Sequence, residues 1–475
     1  MVKLNDATAD AALRVLLITP PSGLWKGSIE RPWISTQPLG LAYIAAAVRQ
    51  KHHNVMMLDA FSMGLSAEKI KAAVRSFRPQ VVGISALTPQ WPDAAAAAGL
   101  VKDESADMLI VAGGPHVTAL PEAAASHPAV DVAVVGEGEE TMQEICEAVA
   151  VGSTVDSIAG TVLGSGDSLK RNPPRARNMD LDNLPFPAHD LLPKPAMYNP
   201  YPAWGRRGKF SCIISGRGCP YGCSFCDVTT QQGKRYRLRS AENIVKEIIW
   251  LNRDFGVSMF SFRDPSMICN RKRLMEICRL IKKHKLDIAW TCSARANEVD
   301  LEMLIQMRGA GCRLIQYGIE VGNAEMLLRI KKITKERVIE AVRQTHAAGI
   351  LAHGYFLFGF LDETRETLAE TISFAKELRL DSAGFAAMVP FPGTEEFEKH
   401  KREGLLISQD WRDYVPTGRP VYRRQNITDD ELVKAIRRAY REFYLRPRII
   451  ATHLRLVTNY HTLHNYFRSA RQFLV

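Results

Sequence analysis

Short apolar runs alternate with amphipathic stretches of helical spacing between residues 14 and 150. The runs that read as strands are RVLLITP, NVMMLDAF, QVVGISALT, DMLIVAGGP and DVAVVGEGEE, and helical stretches such as PLGLAYIAAAVRQ and TMQEICEAVA come between or after them. Strands that are apolar throughout and alternate with helices are typical of a parallel sheet covered on both faces. The pattern predicts a Rossmann-like, doubly wound α/β domain over residues 1–164, which binds ligands beyond the carboxyl ends of its strands.

A proline-rich stretch, RNPPRARNMDLDNLPFPAHDLLPKPAMYNPYPAWG, then predicts an extended linker over residues 165–208. The alternation resumes at Phe210, with the strand candidates FSCIISGRG, VSMFSFRDP, LDIAWTCSAR, CRLIQYGIEVG, LAHGYFLFGF and SAGFAAMVPFPGT. Six βα units predict a partial (β/α)6 TIM-like barrel over residues 209–420. In such barrels the chemistry gathers at the C-terminal ends of the strands.

The last part of the chain, residues 421–475, predicts a small, basic helical region. Thr428 and Glu431 have the spacing of a capping box at a helix start. An apolar stripe at helical spacing follows, and we expect it to pack on the barrel: Leu432, Ala435, Ile436, Ala439, Tyr440, Phe443 and Tyr444. Eleven Arg and Lys against four Asp and Glu in this region leave open a peripheral contact with a membrane or lipid.

The overall composition, 46% hydrophobic and 24% charged residues, is typical of a soluble globular protein. No apolar run approaches the roughly 18–20 residues of a membrane helix. The N-terminus, MVKLNDATAD, lacks a signal-peptide pattern, so we expect a cytoplasmic protein. The net charge is +11, but no base-reading module is visible, and we expect no nucleic-acid partner.

The nine cysteines are an odd number and most stand far apart, which disfavours a disulfide framework. Cys219, Cys223 and Cys226 differ, because they form a C-x3-C-x2-C motif at the end of the first barrel strand. A structural zinc site needs four protein ligands, and no fourth histidine or cysteine lies nearby in sequence, although a distant one could complete the set. Three thiolates suit a 4Fe–4S cluster with one iron left open for a substrate or cofactor.

This motif, with an aromatic residue before the third cysteine and a six-unit βα series around it, resembles the radical S-adenosylmethionine (SAM) enzymes. In that family the open iron binds SAM, and one electron from an external flavodoxin- or ferredoxin-like reductant cleaves it to a 5′-deoxyadenosyl radical. The resemblance implies SAM contacts in the cysteine motif and at the ends of the next strands: Phe225, Asp264, Ser293, Arg295 and Glu320.

A Rossmann-like domain ahead of such a barrel resembles the cobalamin-binding class of the same superfamily. The strand ends GISALTP, AGGPHVT and VVGEGEE imply cobalamin contacts by Ser85, Thr88, Gly113, Gly114, Gly136, Glu137 and Gly138. Glycine lets the backbone approach a large flat ligand because no Cβ intervenes. The loop PPSGLWKGSIERPWISTQPLG has no histidine where many such domains place a cobalt ligand, so the resemblance implies base-off, histidine-off cobalamin with an open lower ligand.

The resemblance implies a cobalamin-dependent radical SAM enzyme that methylates an unactivated carbon of a small-molecule, lipid or natural-product substrate. One alternative is a non-methylating oxidative cyclisation or ring rearrangement, for instance of a tetrapyrrole. Another is a cobalamin sensor or carrier with an inactive barrel. The cations after the cysteines could cover the cluster, bind a cofactor or an anionic substrate group, or face water: Lys234, Arg235, Arg237 and Arg239. The catalytic acid and base and the oligomeric state stay open.

Overall fold

The computed structural model describes residues 12–23, 35–198 and 208–456. Its first part is a sheet of seven strands: β1 Arg14–Thr19, β2 Asn54–Asp59, β3 Val81–Ser85, β4 Leu109–Gly113, β5 Val132–Val134, β6 Thr161–Leu163 and β7 Lys170–Arg171. The strand order is β2-β1-β3-β4-β5-β6-β7, and the first five are parallel. The predicted doubly wound domain is confirmed.

Seven helices cover this sheet: α1 Leu39–Gln50, α2 Ala60–Met63, α3 Ala67–Phe77, α4 Trp91–Glu104, α5 Pro115–Ala119, α6 Pro121–Ala125 and α7 Glu139–Ala150. Successive residues of a strand face opposite sides of a sheet. Val15 and Leu17 of β1 therefore pack with α1 and α7, whereas Leu16 and Ile18 pack with α3 and α4. This double-sided burial is the reason that the strands read as continuous apolar runs.

Strands β6 and β7 differ from the prediction, because they pair antiparallel at the edge of the sheet. Strand β7 lies within the stretch predicted to be a linker, and the buried Asn172 behind it donates to Thr161 Oγ1 at 2.8 Å. A two-residue edge strand contains no apolar period, so the sequence pattern could not reveal it. Residues 199–207 of the predicted linker lie outside the described residues.

The second sheet contains β8 Lys209–Ile213, β11 Val257–Phe262, β12 Ala289–Ala294, β13 Cys312–Glu320, β14 Leu351–Phe358 and β15 Ser382–Ala387. These six strands are parallel and lie in chain order, which confirms the partial barrel. A small antiparallel ribbon, β9 Gly216–Arg217 with β10 Arg237–Leu238, follows β8. The helices of this part are α8 Val228–Gln232, α9 Ala241–Phe255, α10 Arg271–Lys283, α11 Leu301–Gly309, α12 Ala324–Lys331, α13 Lys335–Ala347, α14 Arg365–Glu377 and α15 Glu395–Arg402.

The two faces of the barrel sheet have opposite chemistry. The outer face joins the helices in one large apolar cluster, to which the strands contribute side chains such as Phe260, Trp290, Ile315, Phe356 and Phe385. The alternate positions face inward. By the strand register, these inner positions carry polar side chains: Ser261, Thr291, Ser293, Gln316, His353 and Tyr355. The inside of the barrel is therefore polar at these positions, whereas Phe210, Cys212 and Met259 make it apolar along β8 and the start of β11.

Each edge of the barrel sheet is covered by side chains that take up its backbone groups. Helix α16 Asp429–Tyr444 begins with the predicted capping box and is followed by α17 Pro447–Leu456. The hydroxyl of Tyr444 accepts from Ala383 N and donates to Ala383 O at 2.7 Å, on edge strand β15. At the other edge, the amide of Gln37 bonds Phe210 O and Cys212 N of β8. The predicted packing of the C-terminal stripe on the barrel is confirmed.

No helix within the described stretches of the chain is long and apolar enough to cross a bilayer. Residues 457–475, which carry part of the predicted basic region, lie outside the described residues.

Candidate active site between the two sheets

The loop of three cysteines follows β8 and is held by the ribbon of β9 and β10. Gly218, just before Cys219, has φ +92°, and a Cβ there would collide with the carbonyl oxygen of Arg235. Only glycine adopts this backbone without strain. The N–H of Cys219 donates to Gly233 O at 3.1 Å. The returning strand of the ribbon therefore fixes the position of the first cysteine.

The thiols of Cys219, Cys223 and Cys226 are all half-buried. Burial, together with the smaller effects of the charges of Asp227 and the two other thiolates, raises the pKa of Cys226 to about 11. Burial also raises the pKa of Cys219. A bound metal centre favours the thiolate forms. Among the described residues, no three His, Cys, Asp or Glu side chains converge on one ion position. Three thiolate donors on a glycine-containing loop fit a 4Fe–4S cluster.

Arg295, predicted to contact SAM, lies beside the cysteines. Its guanidinium stacks 3.9 Å from the ring centre of Tyr221, and its Nη1 is 3.7 Å from Cys223 Sγ. Its Nη2 donates to Lys331 O, and Tyr221 donates in turn to Glu298 at 2.7 Å. The structure thus brings a fixed, nearly buried cation to the second cysteine, where it can attract a carboxylate or the negative charge of a cluster.

Two predicted acidic contacts are engaged within the protein. Glu320, with φ +72°, forms an ion pair with the buried Lys331 at 3.0 Å. Asp264 accepts from Ser215 N at 3.1 Å and from Ser215 Oγ at 3.0 Å, and burial raises its pKa. Asp264 therefore anchors the end of β8. Neither partner could be seen in the sequence, and the SAM contacts of both residues stay predictions.

The two remaining predicted SAM contacts, Phe225 and Ser293, belong to different elements. Ser293 is half-buried on the inner face of β12, whereas Phe225 packs edge-to-face on Phe360 with ring centres 5.8 Å apart. The loop of Phe360 is held by Glu363, which accepts the N–H groups of Gly359 and Phe360. Burial raises the pKa of Glu363 to about 7, so the carboxyl group that holds this loop gains or loses its proton near neutral pH.

A cavity of about 250 Å³ lies where the carboxyl ends of the two sheets meet. It is lined by six of the predicted cobalamin contacts: Ser85, Gly113, Gly114, Gly136, Glu137 and Gly138. The sequence analysis missed other lining residues of the first sheet and its helices, including Leu17, Gly40, Ile44, Gly83 and Thr118. The barrel side contributes Ile214, Gly216, Arg217, Gln231, Gln232 and Arg263. One cavity therefore joins the first domain to the segments that flank the cysteines.

The cavity wall is largely backbone and small side chains. A Cβ added at Gly40 or Gly136 would meet no atom within 4 Å, so these glycines leave open space. Gly114, with φ +95°, packs so closely that a Cβ would lie 2.7 Å from Ser85 Oγ. Such a cradle fits a flat base, as at the nucleotide end of cobalamin. Thr88 does not line the cavity, because the turn after β3 buries it elsewhere.

Four charged side chains bridge the domains at the cavity, and we call them the interdomain clamp: Glu137, Glu139, Arg217 and Arg237. Arg237 donates to both carboxylate oxygens of Glu137, and Arg217 donates to Glu139 at 2.5 Å. Burial alone would raise the pKa of Glu137, but the two arginines outweigh it and lower the pKa. The predicted cobalamin contact Glu137 is thus an ion-pair partner of residues about 100 positions away.

The cations after the cysteines divide into two pairs. Arg237 is in the clamp, and Arg239 pairs with the buried Glu247 and donates to Tyr43 OH at 3.2 Å. Lys234 and Arg235 are exposed. Two of the four cations therefore build the domain interface, and the other two face solvent.

His116, in the strand-end segment AGGPHVT, lies between two tryptophans. Its ring centre is 5.0 Å from that of Trp91 and 5.1 Å from that of Trp411, and burial lowers its pKa to about 4. Among the described residues no histidine lines the cavity, and the histidine-off form of cobalamin stays a prediction. Residues 24–34 of the loop predicted to face the cobalt lie outside the described residues.

Comparison with known proteins agrees with this geometry. The B12 binding domain family matches residues 35–146, and the radical SAM superfamily matches residues 213–375. An uncharacterized methyltransferase of Pyrococcus horikoshii is 36% identical over 441 residues, which cover 92% of this chain and 94% of that protein. The chain belongs to the cobalamin-binding radical SAM enzymes. The predictions of an enzyme, of the cofactor set and of a methyltransferase class are confirmed at the level of this family.

Two other similarities bear on this radical SAM enzyme. An anaerobic magnesium-protoporphyrin IX monomethyl ester cyclase of Rubrivivax gelatinosus is 26% identical, with coverage of 91% of this chain and 78% of the cyclase. The solved structure of OxsB, a cobalamin-dependent SAM radical enzyme with aqua-cobalamin and SAM bound, superposes with a TM-score of 0.75. The sequence identity is 18%, and the superposition covers 97% of this chain and 71% of the OxsB chain. At this low identity the similarity shows a shared fold and no more.

The interdomain clamp makes a prediction for Glu137→Gln. The substitution keeps the shape but leaves Arg237 without its counter-charge in a buried site, and we expect the free energy of unfolding to fall by about 3 kcal/mol. The matched control is Glu140→Gln, whose carboxylate is half-exposed and 3.5 Å from Arg175; it should cost less than about 1 kcal/mol. Urea unfolding measures the free energy of unfolding of both variants. Equal losses in the two variants would show that the clamp stabilises the protein no more than a surface ion pair does.

Glu363 makes a prediction about pH. The unfolded chain releases this proton near pH 4.5 and the folded enzyme near pH 7, so rising pH lowers stability within this interval only. The contribution is on the order of 3 kcal/mol at most. Glu363→Gln should therefore be more stable relative to the wild type at pH 8 than at pH 5, by thermal unfolding. Glu366→Gln, at an exposed site on α14, serves as the control, and an unchanged pH profile in Glu363→Gln would refute the assignment.

Proposed function

We propose that this enzyme methylates an unactivated carbon of a small, polar molecule held between the interdomain cavity and the cysteine loop. The observation that carries the proposal is the continuity of the two sites. Gly216 and Arg217 line the cavity immediately before Cys219, and Gln231 and Gln232 line it shortly after Cys226. A reactant in this space is close to groups from both domains, as a three-component reaction requires.

When bound, the cluster and SAM would supply a 5′-deoxyadenosyl radical that takes a hydrogen atom from the substrate, and methylcobalamin would supply the methyl group. The residues of the chain hold and align these partners. Cys219, Cys223 and Cys226 would bind the iron, and Arg295 beside Cys223 would attract the carboxylate of SAM. The glycine cradle would hold the tail of cobalamin, and the clamp would fix the distance between the two domains while water is excluded.

The polar inner face of the barrel supports a polar substrate. Gln316 donates to Tyr355 OH at 3.2 Å, and Tyr355 remains 43% exposed although it lies deep among the strands. A wholly apolar substrate would remove the other polar atoms of these two side chains from water without offering a partner, at a cost of about 1–3 kcal/mol each. Arg263 at the cavity wall favours an anionic group on the substrate.

A second candidate function is radical cyclisation without methyl gain, which the 26% identity to a cyclase favours. The two reactions differ in their balance of SAM. Methyl transfer consumes two SAM per product, one as methyl donor and one as radical source, whereas cyclisation adds no methyl group.

The proposal also includes an external one-electron reductant. Peripheral lipid contact through the C-terminal region stays a prediction, next to the exposed Ile450 and Leu454 of α17.

The proposal predicts the products of anaerobic turnover. The reconstituted, reduced enzyme should yield methylated product, 5′-deoxyadenosine and S-adenosylhomocysteine in equal amounts, as measured by mass spectrometry with isotopically labelled SAM. Replacing Cys219, Cys223 or Cys226 by Ala should abolish all three products and lower bound iron below wild type, while cobalamin binding persists.

The matched control is Cys269→Ala. The Cys269 thiol is near enough for the charge of Cys219 to add to the effect of burial, and its pKa is raised to about 12. As a bystander, Cys269→Ala should retain four irons and activity. Loss of metal from this variant would instead indicate a four-thiol structural site, and a cyclised product without methyl gain would support the second function.

A further inference from the structure

The exposed residues Lys234 and Arg235 belong to the segment that packs on the backbone at the start of the cysteine loop. Gly233 accepts the N–H of Cys219 at 3.1 Å, and the carbonyl of Arg235 packs on Gly218. Their side chains point into solvent, unlike those of the clamp and of Arg239. Pro220 and Gly222 of the cysteine loop are also exposed to solvent. A molecule bound at this surface would be separated from the cluster ligands by little more than the loop backbone.

A third cation joins them from a distant part of the chain. Arg177 is exposed, and a Cβ added at Gly233 would lie 2.6 Å from its Nη1. Within the described residues, no carboxylate lies within 4.0 Å of the charged groups of Arg177, Lys234 or Arg235, although Arg177 contributes to the low pKa of Glu137 behind the ribbon. Three cations with no ion pair in the described structure thus gather beside the cysteine loop, and we call them the cationic rim.

We propose that the cationic rim is the docking surface for the external one-electron donor, a small acidic protein of flavodoxin or ferredoxin type. The inference rests on the proposed function, which needs two electrons per product: one for the reductive cleavage of SAM and one to return cobalamin to the form that accepts a methyl group. For the cleavage of SAM, the donor protein loses one electron and the cluster gains it, with no atom transferred. Electron transfer weakens steeply with distance, so the donor must approach the cysteine loop closely, and the rim is an exposed surface there.

The charge of the rim matches what such a partner requires. Redox encounters use small interfaces, commonly below about 1,200 Å², and depend on complementary charge for rapid, reversible association. Arg237 and Arg239, the buried cations of the same segment, each form an ion pair that stabilises the fold. The exposed three are placed instead where they can attract an acidic protein.

The test compares Lys234→Glu/Arg235→Glu with a matched double variant at the far end of the barrel, Lys283→Glu/Lys285→Glu. The control residues are exposed and precede β12, opposite to the cysteine loop. All proteins are reconstituted with iron, sulfide and cobalamin. Binding of a fluorescently labelled acidic flavodoxin is measured by anisotropy, and cluster reduction is followed by EPR, once with reduced flavodoxin and once with dithionite.

We expect the rim variant to bind flavodoxin at least about tenfold more weakly and to be reduced by it correspondingly more slowly, while dithionite reduces it at the wild-type rate. The wild-type affinity should fall with added salt, because salt screens surface charge. The control variant should match the wild type in both assays.

Equal flavodoxin binding by the wild type and the rim variant would overturn the proposal, as would equal weakening in the control variant. Binding of the wild type to anionic phosphatidylserine vesicles that is lost in the rim variant, without any effect on flavodoxin, would assign the rim to lipid instead. If the rim variant bound less iron, Arg177→Glu, which lies outside the cysteine loop, would carry the same comparison. Failure of wild-type turnover with dithionite would contradict the proposed function, whereas the binding assay would still test the rim.

Discussion

Buried ion pairs between the two domains fix the relative position of their two halves of the site. Arg217 and Arg237 of the barrel domain face Glu137 and Glu139 of the first domain. Both arginines belong to the two-stranded ribbon that carries the first cluster cysteine, and both glutamates lie where β5 leads into α7. Buried charges are costly unless they are paired, so neither half of the clamp is stable without the other. The position of the glycine cradle relative to the cysteine loop follows from these contacts.

The half-barrel adds a second feature, an inner face on which Tyr355 is exposed. Because the barrel sheet has six strands in the described residues, both of its edges need partners, and the first domain and the C-terminal helix provide them through Gln37 and Tyr444. The first domain therefore covers one edge of the barrel sheet as well as presenting the cavity. The open side between them is the natural place for a third reactant, which favours methyl transfer between two bound cofactors.

The parts of the structure that depend on local pattern were predictable from sequence. The strands of both parallel sheets, the C-terminal capping box and the cysteine motif each have a signature within a few residues. The parts that depend on distant partners were not. Nothing near Glu137 in the sequence indicates its pairing with Arg237, and nothing near Asp264 indicates its hydrogen bonds with Ser215, while their cofactor contacts stay predictions. Gly40 and Gln231 carry no local signal, because folding alone brings them to the cavity.

The central claim is that the clamp fixes cobalamin and the cluster at one short separation within a shared site. Cob(II)alamin and the reduced 4Fe–4S cluster each carry an unpaired electron, so pulsed EPR on the doubly loaded enzyme measures the interaction between them directly. We expect one narrow distance in the wild type and a broadened distribution in Glu137→Gln. Two bound cofactors without magnetic interaction, or with the same distribution in both proteins, would contradict it.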